Sequence, residues 1–99
     1  MITIKVSKRN ISIFGHADYD EFGKDIVCAA VSSIVLCSVE AIALFDDEAI
    51  DVIQEQDKLE IIINKDDDTT NNLVKNMMNC LSEVEKKYSQ NIKIINKEE

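Results

Sequence analysis

The chain has 99 residues, of which 45% are hydrophobic and 30% charged, and a formal net charge of −8. That length supports one domain, residues 1–99, with a single modest core that self-association would reinforce. So acidic a chain has no basic stripe with which to displace counterions from a phosphate backbone, so no direct nucleic-acid binding is expected; the charge suits a basic protein partner, although taken alone it is read as keeping the protein soluble.

The N-terminal stretch MITIKVSKRNISIF alternates like a strand and lacks the apolar run and small-residue cleavage site of a secretory signal. Ile2, Ile4 and Val6 alternate with Thr3 and Lys5, which is the period of a half-buried strand. Ser7 to Asn10 form a polar turn, and Ile11 to Gly15 form a second strand that completes a hairpin. His16 then stands at a strand exit. Ala17 to Lys24 read as an acidic loop that carries Tyr19 and Phe22.

A helix is expected from about Asp25 to Phe45, with the Asp25 carboxylate accepting from the orphan N–H groups of the first turn. Ile26, Val27, Ala30, Val31, Ile34, Val35, Val39, Ile42 and Leu44 cannot all face one sheet, so this helix is expected to be buried on more than one side. Part of that burial is assigned to a second copy of the chain. The span is about the roughly 20 residues that cross a bilayer. Ser32, Ser33, Ser38 and Glu40 interrupt it, however, and amphipathic strands flank it, so no membrane partner is expected.

Ile50 to Gln54 alternate weakly as a strand. Leu59 to Ile63 are expected to form a stronger, central strand. A polar loop from Asn64 to Asn72 offers Asp68, Thr69 and Thr70 as helix caps. The second helix is expected over about Thr70 to Tyr88, because Leu73, Met77, Leu81, Val84 and Tyr88 share one face. Ile92 to Ile95 form a last strand before a frayed tail. The order ββαββαβ predicts an α+β fold, a two-layer sandwich in which two main helices pack on a mixed sheet.

The residues able to do chemistry cluster between Gly15 and Ser32. This window holds the only histidine, His16, both glycines, Gly15 and Gly23, and Cys28. A thiol in the first turn of a helix is turned toward thiolate by exposed N–H groups, and the thiolate is the nucleophile. A histidine is its usual base. The first-turn N–H groups, including that of Cys28, are candidates for an oxyanion hole. Asp25 is read either as a cap or as the group that orients His16. Ser32, four residues past Cys28, shares its face.

Asp18, Tyr19, Asp20, Glu21 and Phe22 form a candidate substrate loop, with the aromatics as anchors or as part of a lid. Cys37, on the opposite side of the helix, and Cys80 read as packing residues. Three widely spaced cysteines fit reduced thiols in a cytoplasm better than a disulfide framework. With no CxxC or HxxxH pair, a zinc site built on His16, Cys28, Asp18 or Asp20 has little support, and no cofactor is expected. A reading from another class is a non-catalytic ribosome-associated assembly module, with the acidic loop holding a basic ribosomal protein and Cys28 in the core.

The elements Gly15-His16-Ala17, Tyr19, Gly23 and Asp25-Ile26-Val27-Cys28-Ala29-Ala30-Val31-Ser32 resemble the Prp family of ribosomal-processing cysteine proteases. The resemblance implies His16 and Cys28 as the catalytic dyad and Asp25 and Ser32 as supports. Phe22 stands where the family would have tyrosine. It further implies a small α+β homodimer that removes the N-terminal extension of a bacterial large-subunit ribosomal protein, number twenty-seven, after a hydrophobic, phenylalanine-containing stretch.

Overall fold

A computed structural model describes residues 1–21 and 24–97. In chain order the elements are β1 (Ile2–Val6), β2 (Asn10–Phe14), α1 (Ile26–Phe45), β3 (Ile50–Gln54), β4 (Lys58–Ile63), α2 (Asp68–Lys87) and β5 (Ile92–Asn96). This is the expected ββαββαβ order. The strands form one five-stranded sheet in the order β3-β4-β2-β1-β5. All neighbours are antiparallel except β1 and β5, which run parallel, so the sheet is mixed.

Register decides which side chains meet the helices. Ile4 lies opposite Ile13 and Ile94, Ile11 opposite Ile61, and Ile2 opposite Ile92. Directly paired residues share a face, so one side of the sheet is lined by these isoleucines. The other side carries a mixed set: Thr3 and Lys5 on β1, Ser12 and Phe14 on β2, and Glu60 on β4. Both helices cover the apolar side. Val27 and Ile42 of α1 and Met77 and Leu81 of α2 are fully buried beside Ile4, Ile11, Ile61 and Ile92.

Three expectations change. The run Leu59 to Ile63 is an interior strand, but the middle of the sheet is β2. Its apolar character comes from Leu59, Ile61 and Ile63 facing the helices while Ile62 sits on the other side, half-buried. α2 begins two residues earlier than the apolar spacing indicates. Its cap is Asp67, whose carboxylate accepts from the Thr70 N–H at 2.8 Å, and Asp68, Thr69 and Thr70 are already helical.

The third concerns α1. Within one chain it is buried along a single stripe, Val27, Val31, Val35 and Ile42, while Ile26, Leu36, Leu44 and Phe45 are exposed. By length and composition alone it is long and apolar enough to cross a membrane. Its inner stripe nevertheless packs into the core with the sheet and α2.

Candidate active site

The site lies where β2 ends, α1 begins and the β3–β4 turn folds back. β2 leaves the sheet at Gly15, which has φ 91. Only glycine adopts that conformation without strain, and a Cβ here would also collide with the Met1 carbonyl oxygen. The reversal releases His16 beyond the end of the middle strand, while Ala17, the next residue, is buried in the core.

Three contacts hold the following segment. The Asn91 side-chain amide donates to the Ala17 carbonyl at 3.0 Å. The Tyr19 ring packs edge-on against Tyr88, with centroids 5.4 Å apart and planes at 82°. The Asp25 carboxylate closes the loop onto the helix. Its Oδ1 accepts from the N–H groups of Val27 and Cys28, both at 3.0 Å. Its Oδ2 accepts from Tyr19 N–H at 2.9 Å and Asp20 N–H at 3.3 Å. Desolvation pushes the Asp25 carboxyl up, but the N–H donors of Cys28, Tyr19, Asp20 and Val27 together outweigh it and hold the group below its ordinary value of 3.8.

Cys28 is half-buried on the first turn of α1, and its Sγ accepts from the Ala17 N–H at 3.4 Å. His16, Cys28, Asp25 and Ser32 line one open cleft of about 830 Å³. Ile2, Ile13, Val31 and Leu59 supply its apolar surface, and Asp18, Asp20, Glu55 and Asp57 its acidic rim. The His16 ring is bonded through Nε2 to Asp57 Oδ1 at 3.2 Å.

The sequence-based site is thus partly assembled and partly revised. Gly15, His16, Asp18, Asp20, Asp25, Cys28 and Ser32 meet at the cleft. Phe22 and Gly23 lie outside the described residues. Tyr19 is an anchor on Tyr88, the residue that caps the end of α2, rather than part of the cleft wall. Asp25 is the cap of α1, and the carboxylate on His16 belongs to Asp57. The N–H of Cys28, a candidate oxyanion donor, is bonded here to Asp25 Oδ1. Cys37 and Cys80 are exposed in the single chain and are not packing residues there; all three cysteines are free thiols. Among the described residues no group of three or more His, Cys, Asp or Glu is placed to hold a metal.

Asp57 escaped the sequence reading because nothing local marks it. It sits in a polar turn, 41 residues from His16, and only the pairing of β2 with β4, which sets Phe14 opposite Lys58, brings it to the site.

Comparison with known proteins shows which family the chain belongs to. Residues 1–93 match the family model described as cysteine protease Prp. The chain is 30% identical over 105 residues to ribosomal processing cysteine protease Prp of Staphylococcus aureus, covering 95% of this chain and 97% of the relative. Its backbone is also similar to a crystal structure of the Staphylococcus aureus protease with a covalently linked product peptide. That match has a TM-score of 0.93 and 28% identity, over 98% of this chain and 100% of the other. A second structure of that protease, with a substrate peptide, matches with a TM-score of 0.86 and 27% identity over the same shares. The chain belongs to the Prp family of cysteine proteases.

Proposed function

We propose that Cys28 and His16 are the nucleophile and the general base of this protease. We propose further that it removes the N-terminal extension of a bacterial large-subunit ribosomal protein, number twenty-seven. The observation that carries this reading is the cleft itself, where the thiol at the start of α1 and the imidazole at the exit of β2 line one open space. Relatives named as ribosomal processing proteases, and the peptides held in the Staphylococcus aureus structures, support a ribosomal-protein peptide as the occupant.

The chemistry follows from the residues. The Cys28 thiolate attacks the scissile carbonyl, forming a carbon–sulfur bond and a tetrahedral oxyanion. His16, carrying the thiol proton, gives it to the departing amine as the carbon–nitrogen bond breaks. The neutral ring then takes a proton from water, which hydrolyses the thioester and returns the free thiol. The apolar cleft surface, Ile2, Ile13, Val31 and Leu59, suits a hydrophobic, phenylalanine-containing segment, and the acidic rim suits a basic ribosomal protein.

The finer reading also includes a cytoplasmic homodimer without direct nucleic-acid or membrane contacts. The exposed stripe on α1 supports the dimer: Leu36 is 62% and Leu44 88% exposed in the single chain. The non-catalytic assembly module reads Cys28 as a core residue; Cys28 packs against the core and also borders the open cleft, and it is the cleft position that favours the protease reading.

The test is incubation of the extended ribosomal protein with the wild-type chain and with Cys28→Ala and His16→Ala. Cleavage by the wild type and a loss of at least about 1,000-fold in Cys28→Ala is the expected result. Equal rates from all three proteins would overturn the assignment.

A further inference from the structure

We propose that Asp57 is the positioning residue for His16, the third member of the site, acting on the ring rather than on substrate. This rests on the reading of Cys28 and His16 as the working pair.

An imidazole has two nitrogens, and the partner of one determines which is left for chemistry. Here Nε2 is occupied by Asp57 Oδ1 at 3.2 Å. That leaves Nδ1 as the atom to take the Cys28 proton and to pass it to the leaving amine. When the ring becomes charged, the Asp57 carboxylate faces it with opposite charge.

Asp25, the alternative orienting group, is committed elsewhere. Its two oxygens already accept from the N–H groups of Tyr19, Asp20, Val27 and Cys28. Asp57 is delivered to the ring by the fold. β2 and β4 are paired up to Phe14 and Lys58, and the Asp57 carbonyl accepts from the Gly15 N–H at 3.4 Å. The β3–β4 turn therefore holds the histidine segment by its backbone just before His16 and by the ring itself.

The ring and the carboxylate are 64% and 68% exposed at the side chain, so the pair adds little to folding. It acts instead by restricting an otherwise free exposed ring to one orientation. An exposed pair changes such a population by up to about fivefold, which sets the upper bound of the expected effect.

The experiment measures kcat and KM on the extended ribosomal protein for Asp57→Ala, Asp57→Asn and Asp57→Lys, in wild-type and His16→Ala backgrounds. Asp57→Ala is expected to lower kcat by up to about fivefold at unchanged KM and unchanged Tm. Asp57→Asn, which keeps an acceptor oxygen at the same place, should recover most of that loss. Asp57→Lys should lose more than Ala, because it repels the charged ring. In the His16→Ala background, with its low residual rate read over long incubations, Asp57→Ala should have no further effect.

Three results would overturn the proposal: an unchanged kcat in Asp57→Ala, a KM effect alone, or the same loss in both backgrounds. If Cys28→Ala and His16→Ala are themselves as active as the parent, the underlying dyad is what has failed.

Discussion

Asp25 is where the loop and the helix are joined. A single carboxylate takes the N–H groups of Tyr19 and Asp20 and those of Val27 and Cys28, so it caps α1 and ties residues 19–20 to the helix start at once. Asp25→Ala is expected to lower Tm by about 5 °C and to reduce the cleavage rate with it, since the first turn that carries Cys28 would loosen. The pH dependence has a definite sign. The folded-state pKa lies below the ordinary 3.8, so the stabilisation is full above about pH 4 and disappears as pH falls through the folded value. Thermal melts between pH 7 and pH 3 should show a steeper acid loss for the wild type than for Asp25→Asn. Parallel curves would remove Asp25 from this role. At this same scale Cys28 and His16 were legible early, because the local setting of each, a helix start and a strand exit, is written in adjacent residues. Asp57 was not, because its partner lies across the sheet.

At the scale of elements, the two helices differ in what stabilises them. α2 is amphipathic. Its face of Met77 and Leu81 is buried, and Lys86 and Lys87 at its end favour the negative pole of the dipole. Leu81→Ala is expected to cost about 2–5 kcal/mol in urea unfolding, because it opens a cavity among fully buried neighbours. A cost below about 1 kcal/mol would mean that the core relaxes around the gap. α1 depends on its cap and one buried stripe, and it has no acidic residue in its first turn or basic residue in its last. Periodicity located both helices to within two residues. It missed the Asp67 cap because several adjacent polar residues could serve as caps, and only the geometry of the turn selects one.

For the whole molecule, the uncovered apolar stripe of α1 is the main unbalanced feature. Ile26, Leu36 and Leu44 lie toward solvent together with the thiol of Cys37. If a second copy covers this stripe, the wild-type chain will sediment as a dimer at micromolar concentration, and Leu36→Glu with Leu44→Glu will sediment as a monomer. In the dimer Cys37 should alkylate more slowly than Cys80, and the difference should vanish in the double variant. A monomeric wild type would remove the dimer from the proposed function.

The sequence by itself determined the order of elements, the two-layer class, the apolar face of α2 and the window that carries His16 and Cys28. Each of these depends on residues close together in the chain, through strand alternation, helical spacing or the demands of a cap. Tertiary structure decided that β2 is the middle strand and that the Asp25 cap also takes the N–H groups of Tyr19 and Asp20. It also decided that Tyr19 anchors on Tyr88 and that Asp57 meets His16. The physical reason is that strand order and long-range side-chain contacts follow from which surfaces pack together in space, and local periodicity carries no record of that choice.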